Sequence, residues 1–149
     1  MNKSSRSIRN NNPLNIRLGR SRWQGLRKMQ EDGAFCQFES LAYGWRAAFI
    51  LLTRTYYNNY GTDTIGKIIS RWAPQIENDT RGYIRFVSEW TGIDDDEPLG
   101  SPPEHPARWM AVALAMAMFE GGLSDATPIL PALFQAWEKK YGKMLESEK

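Results

Sequence analysis

Glu120 ends a nearly all-apolar stretch, Trp109 to Phe119, and at 100° per residue it shares a helical stripe with Trp109, Ala113 and Met116. Burying a charged carboxylate there is costly, and the negative end of the helix dipole adds to the cost. Both effects raise the carboxyl pKa. A carboxyl that keeps its proton inside a cleft is what glycosidic cleavage needs as general acid. An exposed glutamate at a helix end satisfies the same spacing. Glu77 has the opposite setting, just before Asn78-Asp79-Thr80 at an expected helix start, where free N–H groups and the positive dipole end lower a carboxyl pKa. That suits a base, a nucleophile or a ligand anchor, and equally a residue that only supports the helix start.

Aromatic residues form a second group. The chain has six Trp, six Tyr and six Phe, and Trp23, Trp72, Tyr83 and Trp90 lie beside loops or polar motifs. Sugar rings stack on such faces through their C–H surfaces, while nearby Asn or Arg side chains can bond hydroxyl and acetamido groups. Trp45 and Trp109 fit structural packing better.

The elements that must position these groups follow from periodicity and punctuation. Asn10-Asn11-Asn12-Pro13 is turn chemistry, and Leu14 to Leu18 and Ala34 to Phe38 alternate like strands, predicting a small N-terminal hairpin or three-stranded ribbon. From Ser40 onward the period is helical. Leu41, Trp45, Ala48, Leu52 and Tyr56 predict one helix from Ser40 to about Asn58, stopped by Gly61. Shorter helices are expected over Thr64 to Trp72 and Asn78 to Trp90, the second closed by Gly92. A buried central helix is expected from Glu104 or Pro106 to Glu120, and a last one from about Pro128 to Tyr141.

The 149 residues are 42% apolar and 24% charged with net charge +2, the profile of one globular domain large enough to fold on its own core. A single thiol, Cys36, excludes an intramolecular disulfide. Cys36 and His105 alone are too few soft or imidazole donors for structural zinc, so neither a metal nor another cofactor is expected. No signal-peptide h-region follows the basic start, and no apolar run reaches the roughly 20 residues of a membrane span. Between Lys3 and Lys28 there are eight basic residues and no acid. That can be a nucleic-acid footprint or a solvated face, and with no nucleic-acid motif the solvated face is preferred.

The segments Arg9-Asn10-Asn11-Asn12-Pro13-Leu14-Asn15-Ile16-Arg17, Trp23-Gln24-Gly25, Phe35 to Phe38, Tyr43-Gly44-Trp45-Arg46-Ala47 and Arg71-Trp72-Ala73-Pro74 through Glu77-Asn78-Asp79-Thr80 to Tyr83-Ile84 carry a resemblance. They resemble a family of phage and prophage proteins described as structural virion proteins or as lysozyme-like, from about Arg9 to Gly122. The order of these motifs is also distantly similar to glucosaminidase-type lysozyme folds. There a catalytic Glu at a helix end comes first, whereas here Ala115 to Gly121 comes last, so the resemblance implies a circular permutation, cheap where termini lie close together. Asp79 and Thr80 stand in reversed order to that pattern, and the match assigns no second carboxylate.

The resemblance implies a mainly α (α+β), lysozyme-like single domain over residues 1–149 with a small N-terminal β-hairpin, residues 1–8 forming a flexible arm. It implies a protein that binds peptidoglycan glycan strands and cleaves the β-1,4 link between aminosugars, by hydrolysis or transglycosylation. Glu120 and Glu77 are its candidate catalytic groups, and Asn15, Arg17, Trp23, Arg46, Trp72 and Tyr83 its candidate substrate-binding ones. It places Glu120 beside the Asn15 to Arg17 turn and near Tyr83. The alternative is a virion structural or wall-binding protein with the same fold and no turnover. Its partners would be glycan strands and other virion proteins. It would reside in the host cytoplasm or the virion and reach the wall by phage delivery or a holin-type route.

Overall fold

Local capping chemistry sets most of the helix boundaries. The computed structural model describes residues 5–74 and 79–138. Along the chain the helices are α1 (Arg6–Arg9), α2 (Leu41–Ile50), α3 (Tyr56–Tyr60), α4 (Ile65–Trp72), α5 (Thr80–Thr91), α6 (Pro106–Gly121) and α7 (Leu130–Trp137). Ser40, Thr64 and Asp79 accept hydrogen bonds from the backbone N–H groups of Tyr43, Lys67 and Gly82, capping α2, α4 and α5. Gly61, Gly92 and Gly122 close α3, α5 and α6 in left-handed conformation.

The central helix is α6. Trp109 and Val112 through Met118 are all buried along it, as its nearly uniform apolar sequence predicts. Helix α5 packs on α6, α4 on α5, and α7 on both α2 and α6. Between α2 and α7 the core is aromatic: Trp45 stacks on Phe49 at 5.6 Å, and Phe49 meets Trp137 edge-on at 4.9 Å. The Trp45 indole N–H donates to the Ile129 carbonyl at 3.1 Å, and that of Trp109 to the Gly100 carbonyl at 3.0 Å. Both are core residues, as expected.

Three expectations need correction. The long helix from Ser40 continues to Tyr60, but Leu51–Thr55 is a π-helical turn that joins α2 to α3. Such a widened turn shifts the side-chain register of everything after it. The hairpin reduces to two isolated antiparallel bridges, Arg17 with Phe35 and Leu26 with Phe38, and the described residues contain no longer strand. Leu14, Ile16, Cys36 and Phe38 are buried, which explains their alternation. Much of the pairing, however, runs through asparagine side chains. Asn12, fully buried, donates through Nδ2 to the Ile16 and Cys36 carbonyls and accepts from the Ile16 N–H, while Asn11 Nδ2 donates to the Phe38 carbonyl.

The third correction concerns the arm. Residues 1–4 lie outside the described residues, but Arg6–Arg9 is a helical turn against α6, with Ser7 buried. Arg6 forms a two-pronged ion pair with Asp32, which Asn10 Nδ2 and the Ala34 and Phe35 N–H groups also reach. Those donors hold the Asp32 carboxyl far below the usual range. Arg27 likewise spends its guanidinium on the Phe38 and Arg9 carbonyls. Part of the basic N-terminal segment is therefore structural. The expected start of the third helix at Asn78 and the end of the last at Tyr141 lie outside the described residues.

Candidate functional site

Glu120 lies on the last turn of α6, where the buried stripe reaches the surface. It is half-buried in a cleft of about 370 Å³. The N-terminal segment contributes Asn15, Ile16, Arg17, Gly19, Ser21, Trp23 and Phe35 to the lining, and the helical part contributes Leu51, Tyr56, Trp72 and Ala73. Leu51 and Tyr56 bracket the π-helical turn, so that irregularity shapes one side of the cleft.

Four neighbours favour the Glu120 anion. Asn15 Nδ2 donates to Oε1 at 3.1 Å and lies 3.4 Å from the Glu120 carbonyl oxygen. The Tyr83 hydroxyl, the Trp72 indole N–H and the Arg17 charge also favour its anion. Burial outweighs all of them, and the pKa is raised above the ordinary glutamate value. The group therefore keeps its proton to higher pH than an ordinary glutamate, and its anion would meet the Asn15 amide already in place. Asn15 adopts φ 51°, a left-handed conformation that asparagine tolerates better than most residues. Its Oδ1 is buried and has no partner among the described residues. A buried acceptor without a donor is unusual, and here it opens toward a ligand that carries N–H or O–H groups.

Of the residues expected to bind substrate, Asn15, Arg17, Trp23 and Trp72 meet in this cleft with Glu120. Tyr83 and Arg46 do not line it. Tyr83 is only 2% exposed and lies behind Glu120, with its ring stacked on Phe119 at 4.1 Å and its hydroxyl 3.4 Å from the Met116 carbonyl. Burial first, and then the neighbouring Glu120, push its phenol well above the usual range, so Tyr83 stays a neutral hydroxyl behind the carboxyl. Arg46 is half-buried on α2 and is not part of the cleft lining. Glu77 lies outside the described residues. The helix that follows it is tied to the cleft's edge, since Thr80 Oγ1 donates to the carbonyl of Ala73.

Sequence reasoning missed Tyr56 and Phe35. The first meets Trp72 edge-on at 5.8 Å, and the second lies under the Arg17 guanidinium at 5.2 Å. Tyr56 was visible only as one more apolar position of a helical stripe. Among the described residues, no group of three His, Cys, Asp or Glu side chains converges as a metal site would require. No described helix is long and apolar enough to cross a membrane.

No family model matches the sequence. The chain is similar to Protein P5 of Pseudoalteromonas phage PM2, with 39% identity over 130 residues that cover 85% of this chain and 78% of that protein.

Proposed function

The chain belongs to the family of Protein P5 of Pseudoalteromonas phage PM2, and from that premise we propose that it binds the glycan strands of peptidoglycan and cleaves the β-1,4 link between their aminosugars. The observation that carries this is Glu120, a carboxyl with a raised pKa set among aromatic faces and beside the Asn15 amide in an open cleft. Trp23, Trp72 and Tyr56 offer faces on which sugar rings stack, and the unpartnered Asn15 Oδ1 is an acceptor for a hydroxyl or acetamido N–H. In this reading the fold is a single lysozyme-like domain with its catalytic helix moved to the C-terminal side. A phage relative fits delivery to the wall with a virion.

Glu120 protonates the leaving glycosidic oxygen as the C–O bond breaks. The resulting carboxylate keeps the Asn15 amide donor, and the nearby Tyr83 and Trp72 also favour the anion. Among the described residues that line the cleft, Glu120 is the one carboxylate. The route that asks least of the protein therefore stabilises the oxocarbenium-like carbon with the sugar's own acetamido oxygen. Tyr83, buried behind Glu120, supports the acid and does not reach that carbon.

Purified protein added to a suspension of peptidoglycan should clear it, and Glu120→Gln should slow clearing by about 10²-fold or more with helical content retained, because the transferable proton is gone. Undiminished clearing by the variant would remove Glu120 from the chemistry. Binding without clearing by the parent protein would leave a wall-binding virion component.

A further inference from the structure

Beside the cleft lies a second hollow of about 450 Å³, lined by Tyr60, Thr62, Lys67, Ser70, Arg71 and Pro74. Its character is cationic. Lys67 and Arg71 are one turn apart on α4 and both contribute to the lining. The Arg71 guanidinium lies 3.6 Å over the Tyr60 ring, which fixes its plane, and no described residue accepts a hydrogen bond from it. Lys67 has Asp63 at 3.2 Å, an exposed i,i+4 pair that leaves the ammonium further donors. Thr62, also in the lining, is only 3% exposed, and its hydroxyl has no partner among the described residues. The hollow thus assembles a pre-oriented planar cation, a second cation and two hydroxyls around one open space, which is the donor set a carboxylate or phosphate requires.

Aromatic side chains link the linings of the hollow and the cleft. Tyr56, which lines the cleft, meets Trp72 at 5.8 Å on one side and Tyr60 at 5.9 Å on the other, and Trp72 and Arg71 are consecutive on α4. A polymer stacked along Trp72 and Tyr56 would present its side groups to Arg71 and Lys67.

We propose that this hollow is an anion subsite that takes the carboxylates of the peptide borne by the wall glycan, while the sugar backbone lies in the cleft. The subsite rests on the glycan reading of the cleft and narrows it, since the preferred substrate becomes glycan that still carries its peptide. Arg71 supplies a fork for one carboxylate, Lys67 a point charge, and Thr62 and Ser70 hydroxyls that complete the shell.

The test is a titration of ¹⁵N-labelled full chain, followed by NMR, with four probes: a soluble disaccharide-peptide wall fragment with free carboxylates, the same fragment with its carboxylates amidated, a peptide-free chitooligosaccharide, and inorganic phosphate. The free-carboxylate fragment should shift Thr62, Lys67 and Arg71 together with the cleft residues. Amidation should weaken binding about tenfold, the factor that goes with losing roughly one charge-assisted hydrogen bond. A Lys67→Gln/Arg71→Gln double variant should bind both fragments alike and still bind the chitooligosaccharide as the parent does. Equal binding of the two fragments by the parent chain overturns the proposal, and so do shifts confined to the cleft. Phosphate acting where the peptide does not also overturns it, leaving a phosphate site. If the chitooligosaccharide leaves the cleft silent, the glycan reading fails separately. The subsite then stands only if the free-carboxylate fragment still shifts the hollow, and falls if nothing does.

Discussion

Replacing Asn15 separates two things the residue does at once. Its amide donates to the Glu120 carboxyl at 3.1 Å, and its backbone sits at φ 51°. Asn15→Ala loses both the donor and the residue type that tolerates that conformation. Deleting a hydrogen bond to a group that ionises costs about 1.5–3 kcal/mol, toward the lower end here because Glu120 is only half-buried. Alanine in left-handed backbone costs roughly 1 kcal/mol more than glycine. Asn15→Ala should therefore lose about 2–3 kcal/mol, and Asn15→Gly about 1 kcal/mol less, in urea unfolding followed by tryptophan fluorescence. The kinetic consequence has a fixed sign. The Asn15 bond favours the Glu120 anion and so lowers its pKa against the larger effect of burial. Both variants remove it, so Glu120 should hold its proton to higher pH, and the alkaline limb of the wall-clearing profile should move upward in both. Variants as stable as the parent chain, or an alkaline limb that stays in place, would refute the role assigned to this amide.

Gly44→Ala should lose more than about 3 kcal/mol or fail to fold, because the new Cβ would overlap the Asn11 backbone carbonyl oxygen and also crowd Pro13. Gly19→Ala, whose Cβ meets nothing within 4 Å, is the matched control and should stay within about 0.5 kcal/mol in a thermal melt. Trp45→Phe should cost about 1–2 kcal/mol, since it removes the indole donor from the Ile129 carbonyl, which keeps the Leu133 N–H at 3.3 Å, and opens space beside Phe49; a melt unchanged from the parent would show that the indole bond does not anchor the start of α7. Stability against pH should carry two opposite signatures. Asp32 has a lowered pKa, so its contribution is full above about pH 4 and lost as the pH falls, and Asp32→Asn should destabilise at pH 7 but much less under acid. Glu120 has a raised pKa, so its contribution is full below about pH 4.3 and lost as the pH rises, and Glu120→Gln should remove that decline.

Helices were legible because their causes are local. Ser40, Thr64 and Asp79 cap within three residues, Gly61, Gly92 and Gly122 stop within one, and the apolar period of α6 is written in sixteen consecutive positions. Glu120 was legible for the same reason, as the polar residue that continues a buried stripe. What the sequence left open is what depends on partners far along the chain. Leu14 to Phe38 alternate because alternate side chains are buried, and alternation cannot tell a strand ladder from a loop whose carbonyls are taken by Asn11 and Asn12. The π-helical turn is not legible in periodicity, since only Tyr56 to Tyr60 follow it in the helix, too few positions to reveal a changed register. The placing of Tyr83 behind Glu120, and of Tyr56 in front, follows from how α5 and α3 rotate about their axes when they pack, which no single helix specifies. Asn15 and Glu120 are 105 residues apart, and the similarity of motif order placed them together before the fold did. Only the tertiary structure turned that neighbourhood into a donor on a carboxyl, because a hydrogen bond needs an angle and a distance, and those come from the packing of α6 against the N-terminal turn.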